Sequence, residues 1–196
     1  MKAFWDERYQ KVEYAYGKTP NEFLAVNLGN TDTKILLPAE GEGRNAVFAA
    51  KNGCDVTAFD TSSEGREKAL KLAEAEQVQI DYQIESFESF TAQTNEFDAI
   101  ALIYAHIPHE IRTAAYRHLL KFLKPGGRVI FEAFSKNQLG LSSGGPKNEA
   151  MLFSETEVKA IFSDLTVNYL AEEEVNLNEG PFHQGTAKVI RFIGTK

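Results

Sequence analysis

Hydrophobic residues alternate along this chain between two patterns. Short continuous apolar runs fall at 34–38, 54–59, 78–84, 97–104 and 128–134. Runs of this kind suit strands covered on both faces. Between them the spacing turns helical. A helix is expected at 44–52, closed by Gly53, and another at 62–76, with Ala69, Leu70, Leu72 and Ala73 on its apolar face. A third follows Pro108 and carries Ile111, Ala115, Leu119 and Phe122 on one face. Pro125-Gly126-Gly127 ends that helix and feeds the fifth strand. Two short helices are expected ahead of this alternation, at 3–10 and 20–27, separated by a turn-rich segment. Behind it comes a glycine-rich loop at 135–150. A short helix then spans 154–162, where Ser154 and Glu157 form a capping-box pattern. The last two strands, 165–175 and 186–193, are joined without a helix and should form a hairpin.

This order predicts a single α/β domain with a mostly parallel seven-stranded sheet, an antiparallel last strand and helices on both faces. A length of 196 residues fits one domain covering 1–196. It divides into an N-terminal helical segment, 1–30, and a core, 31–196. The net charge of −7 argues against a nucleic-acid partner. The lone Cys54 forms no internal disulfide and reads as a small hydrophobe at the start of a strand. No run reaches membrane-spanning length, and the first residues lack an apolar signal core. A cytoplasmic protein is expected.

The chemistry concentrates between the first two strands. Gly41 and Gly43 allow a tight turn, and the helix starting near Arg44 or Asn45 aims its first amides into the space above it. Asp60 ends the second strand, where a carboxylate accepts hydrogen bonds from ribose hydroxyls. Gly41-Glu42-Gly43-Arg44-Asn45-Ala46 formally fits a dinucleotide fingerprint, so an NAD(P)-dependent oxidoreductase is one reading. The terminal hairpin argues against it.

A parallel sheet with a reversed last strand, and the turn Lys124-Pro125-Gly126-Gly127, resemble the class I S-adenosylmethionine-dependent methyltransferases. Phe4-Trp5-Asp6-Glu7-Arg8-Tyr9, Glu40-Gly41-Glu42-Gly43-Arg44-Asn45, His106-Ile107-Pro108 and Gly144-Gly145-Pro146-Lys147 resemble the small bacterial tellurite-resistance-type members. The resemblance implies a Rossmann-like fold, S-adenosyl-L-methionine as cofactor and a small-molecule methyl acceptor. It implies cofactor contacts from Ala39, Glu40, Gly41, Gly43 and Asn45 in the first turn. Asp60 and Thr61 follow after strand two, Ser86 and Phe87 after strand three, and Tyr104 at the end of strand four. Three positions depart from the family pattern. Leu37 replaces the usual acid, Ala39 a glycine and Ser86 an aspartate, with Glu40 as the stand-in acid for the methionine ammonium.

His106, just past strand four, is the candidate catalytic residue, as a hydrogen-bonded wall or as a base. Trp5, Tyr9, Tyr14 and Tyr16 serve either as packing or as an aromatic lid over a sulfonium, and His183 lines the acceptor side or a solvated turn. Arg44 reads as a surface ion-pair residue or a clamp on an anionic group, the former preferred. No acid–base pair stands out, which favours a soft or already ionised acceptor. The rivals to a methyltransferase are the oxidoreductase and a non-catalytic S-adenosylmethionine-binding module. No metal site is expected.

Overall fold

Each apolar run folds so that neighbouring residues face opposite sides of one sheet, and this decides where the site lies. The computed structural model describes residues 2–196; Met1, the first residue of the expected 1–30 segment, lies outside them. The strands are β1 (Lys34–Pro38), β2 (Asp55–Asp60), β3 (Asp81–Ile84), β4 (Phe97–Ile103), β5 (Leu123–Phe134), β6 (Thr166–Asn178) and β7 (Gln184–Thr195). They lie in the order β3-β2-β1-β4-β5-β7-β6. β1 to β5 pair in parallel, while β7 runs antiparallel to both β5 and β6. The order reverses between β1 and β4, and a crevice opens at the carboxyl ends of strands at such a point.

The helices are α1 (Lys2–Tyr9), α2 (Glu22–Asn27), α3 (Arg44–Lys51), α4 (Ser63–Ala75), α5 (His109–Leu119) and α6 (Glu155–Ile161). Leu36, Ile100, Leu102, Val129 and Phe131 share one buried cluster with Tyr116 and Leu119 of α5 and Val158 of α6. Ile35, Leu37, Ala99, Ala101 and Ile130 point the other way and pack with Leu24, Ala46 and Ala69 of α2, α3 and α4. The period of two along each strand produces this split. Among the described residues, no helix is long and apolar enough to cross a membrane.

Several boundaries differ from the sequence reading. β5 starts at Leu123, so the Pro125-Gly126-Gly127 turn lies inside it as an irregularity, with the register jumping from Phe97–Leu123 to Ala99–Arg128. The chain can extend there because the Gly126 amide donates to the Lys196 carbonyl, a partner distant in sequence. β3 begins only at Asp81, because Val78 N donates back to Ala73 O and completes the end of α4. β6 and β7 are longer than expected, which leaves Glu179–His183 as the hairpin turn.

Candidate functional site

A cavity of about 840 Å³ occupies the crevice at the carboxyl ends of β1, β2 and β4. That lies in the upper part of the size range of small-molecule sites. Its floor is the β1 turn, built under strain. Ala39 has φ 53°, the left-handed region where an unbranched backbone is easier, which accounts for the glycine usual at this position. Glu40 follows and is buried. Its Oε1 accepts the amides of Asn45 and Ala46 at 2.8 Å each, so it caps the N-terminus of α3. Its Oε2 has only a 3.4 Å contact from Asn45 Nδ2 and keeps capacity for another donor. Burial raises the Glu40 pKa to about 7, against the pull of those amides.

Asp60 ends β2 at the cavity wall. Gly41 N donates to its Oδ2 at 3.2 Å and Ser62 N to its Oδ1 at 2.9 Å, which fixes the carboxylate in place. Burial nevertheless holds its pKa above the usual aspartate range. Ala39, Glu40, Asn45, Thr61, Ser86, Phe87 and Tyr104 also line the cavity. Gly41 and Gly43 do not, and their small size answers to packing. A Cβ on Gly41 would lie 2.6 Å from the Tyr9 hydroxyl oxygen, and one on Gly43 would lie 2.5 Å from Ala69 Cβ. Ser86 is committed to a small turn of its own, its amide donating to Ser89 Oγ at 3.0 Å.

Trp5, Tyr9 and Tyr16 form part of the wall, with Trp5 stacked on Tyr9. Ser62 Oγ donates to Asp6 Oδ1 at 2.6 Å, fastening α1 to the start of α4. The Arg8 guanidinium lies 4.5 Å from the Phe182 ring centre and donates to the Tyr16 hydroxyl at 2.7 Å. Tyr14 is placed elsewhere. Its hydroxyl donates to Lys68 O, and its ring packs beside Val47, Leu72 and Ala73 on the outer side of α4. It therefore faces away from the cavity.

Each of the two histidines takes one of the two places the sequence left open for it. His106 lines the cavity, but both ring nitrogens are engaged: Nδ1 with the Met151 carbonyl at 2.8 Å and Nε2 with the Phe134 amide at 3.2 Å. Only a neutral ring that donates from Nδ1 and accepts at Nε2 satisfies both. Desolvation among Phe134 and Phe153 pulls its pKa down to about 4. Its lone pair is thus spent on the backbone, which leaves His106 in the cavity wall with both ring nitrogens engaged.

His183 is buried in the wall, not solvated in its turn. Its Nδ1 lies 3.0 Å from Glu179 Oε2. Burial works against the charge on Glu179, but the hydrogen bonds from His183 and Arg44 prevail and hold its pKa at about 2. An ionised carboxylate only accepts, so Nδ1 carries the hydrogen and a neutral His183 keeps its lone pair on Nε2. That nitrogen has no protein partner. Among the described residues, the Tyr104 hydroxyl is the only sealed side-chain polar atom lacking one, so Nε2 is open to the cavity. The His183 ring packs against Tyr16, Tyr104 and Phe134.

Sequence reasoning missed the network behind His183. Arg44, expected at the surface, is buried and donates to Glu179 at 3.0 Å, because the turn of the hairpin folds over the start of α3. Asn21 Nδ2 bridges Glu179 and Glu132, and Arg191 donates to Glu132 at 2.6 Å. The apolar wall from Ile107 and Ile111, and the cover from Gly144 to Lys147, were also missed as site residues. The one available signal was the four-residue spacing of Glu179 and His183 around Gly180-Pro181, a turn that brings them together. Among the described residues, no group of three or more metal-ligating side chains converges.

The donor set fits S-adenosylmethionine. Asp60 offers carboxylate acceptors of the kind ribose hydroxyls need, Glu40 Oε2 an acceptor of the kind an ammonium needs, and Phe87, Ile107 and Ile111 an apolar face that suits a base.

Residues 35–127 match the family described as a methyltransferase domain. A ubiquinone biosynthesis O-methyltransferase of Xanthomonas oryzae pv. oryzae is 28% identical over 137 residues, covering 68% of this chain and 56% of that protein. Its counterpart from Xanthomonas axonopodis pv. citri is 30% identical over 138 residues, with the same coverage. The chain thus spans little more than half the length of these relatives. Among solved structures, an S-adenosylmethionine-dependent methyltransferase from Methanosarcina mazei superposes with a TM-score of 0.73 at 19% identity, covering 91% of this chain and 98% of that one. TehB from Haemophilus influenzae superposes with a TM-score of 0.73 at 16% identity, covering 100% and 66%. At these identities the structures show the fold alone. Together with the sheet order and the reversed β7, they show that this chain has the fold of the class I S-adenosylmethionine-dependent methyltransferases, with a methyltransferase-domain match at residues 35–127.

Proposed function

We propose that the protein transfers a methyl group from S-adenosylmethionine to a small-molecule acceptor. The observation that carries this reading is Asp60, fixed by two backbone amides on the wall of a cavity with Glu40 on its floor. When bound, the sulfonium supplies an activated methyl group, so the protein's task is alignment. Asp60 would hold the ribose, and Glu40 would take the methionine ammonium in place of the acid absent at Leu37, which is buried in the core. Phe87, Ile107 and Ile111 would flank the adenine. Trp5, Tyr9 and Tyr16 would act as a lid, keeping water from the reacting centre and lending their faces to the sulfonium. Tyr14 has no part in it.

The net charge of −7 supports a small acceptor over a nucleic acid, and a cytoplasmic setting belongs to the same proposal. The relatives' name, O-methyltransferase, supports an oxygen acceptor. The nicotinamide reading lacks support, because the strand order and reversed β7 are those of the methyltransferases. Thermal unfolding with S-adenosylmethionine, S-adenosylhomocysteine and NAD tests the reading. The first two should raise the melting temperature, since a ligand of the folded state stabilises it. A rise with NAD alone would overturn the proposal.

A further inference from the structure

The acceptor end of the cavity contains a base that the expected reaction with a soft nucleophile does not need. His183 Nδ1 is held by ionised Glu179 at 3.0 Å, and its Nε2 is free and open to the cavity. Glu179 is itself fixed by Arg44 at 3.0 Å and Asn21 at 3.3 Å. A carboxylate anchored on three sides orients the imidazole and stabilises the imidazolium that forms when the ring takes a proton. The walls around it are aromatic: Tyr16, Tyr104 and Phe134 meet the ring, and Phe182 adjoins it. The covering loop lies close, since a Cβ on Gly144 would come within 2.7 Å of His183 Cδ2.

We propose that His183 is a catalytic base and Glu179 its positioning residue, and that the acceptor is a small aromatic hydroxyl compound. The inference rests on the methyltransferase reading above. A phenol ionises near pH 10 and is protonated at neutral pH, so its methylation needs a proton acceptor, whereas a thiol ionises more readily. The acceptor oxygen gives its proton to His183 Nε2 and forms the new bond to the methyl carbon. The carbon–sulfur bond breaks with its electron pair going to sulfur, leaving S-adenosylhomocysteine. The flat aromatic walls suit a ring-bearing acceptor.

The test uses the full chain, S-adenosylmethionine and a panel of small phenols matched ring for ring with thiophenols. The wild-type protein methylates phenols, and kcat/KM rises with pH as His183 loses its proton. The charged and titratable groups facing His183 are Glu179, Arg44, Arg8 and His106, with Tyr16 and Tyr104 kept neutral by burial. Burial lowers the His183 pKa and Glu179 opposes it. Glu179→Gln should therefore move the inflection to lower pH. His183→Asn should lower phenol turnover by about 10²–10⁴-fold and thiophenol turnover far less. Equal losses for both acceptors, an unshifted pH profile in Glu179→Gln, or a wild-type protein that methylates no phenol would each overturn the proposal. Calorimetry with S-adenosylhomocysteine separates the two readings. Heat of binding to both the wild-type and His183→Asn proteins places any failure on the base. No heat with the wild-type protein places it on the cofactor.

Discussion

The two ends of the cavity are built differently. The end bearing Asp60 and Glu40 is local: one turn and two helix starts supply nearly every polar contact, mostly through backbone amides within a few residues. The end bearing His183 is assembled from five distant segments. Asn21, Arg44, Glu132 and Glu179, all buried, and the half-buried Arg191 form a chain of charge and hydrogen bonds that no short stretch contains. The local end is specified by turn geometry and depends little on the rest of the fold. The assembled end exists only once the whole sheet is in place, so its precision and its vulnerability have one origin.

Removing one partner from the assembled end should have the largest effect. Arg44→Met leaves Glu179 buried with one cation fewer, and a loss of about 3 kcal/mol is expected in urea unfolding. At the local end, Asp60→Asn turns one oxygen that accepts a backbone amide into a donor, so it should cost about 1–2 kcal/mol in stability and weaken S-adenosylhomocysteine binding about a hundredfold, as charge-assisted hydrogen bonds are lost. If Arg44→Met instead cost no more stability than Asp60→Asn, the contrast would fail. Gly144→Ala, with φ 141° and contacts of 2.7 and 2.9 Å awaiting its Cβ, should cost about 1–2 kcal/mol and raise the acceptor KM while leaving the cofactor affinity unaltered.

A smaller effect tests Glu40. Its pKa is raised by burial to about 7, so its contribution to stability is fully present below the ordinary carboxylate pKa and is lost as pH rises through about 7. An ammonium placed beside it expels the remaining proton. Titration calorimetry near pH 7 in two buffers of different ionisation heat should register proton release on binding of S-adenosylmethionine, and Glu40→Gln should abolish it. The smallest change is Ala39→Gly. It relieves a left-handed backbone but adds freedom to the unfolded chain, for a net gain below about 1 kcal/mol in urea unfolding.

What the sequence revealed follows the same division. Strand and helix order, the reversed β7 and the place of Asp60 were all legible, because period and turn chemistry act over a few residues. Which of its two readings His106 takes was not legible, because its partners, Met151 O and Phe134 N, are backbone groups 45 and 28 positions away. Arg44 was misread for a related reason. Its counter-ion comes from a turn 135 residues later, and a charged residue at a helix start ordinarily faces water. Tyr14 shared its segment with Tyr16, yet the chain reverses between them and sends one ring outward and the other inward.

The position of β7 between β5 and β6 has a temporal consequence. Until residues 184–195 emerge from the ribosome, β5 has one open flank and β6 has nothing to pair with. Ala187, Val189, Ile190 and Phe192, all fully buried, arrive with that same strand. A nascent chain that has not yet reached β7 therefore carries an unfinished sheet, and residues 184–195 close it.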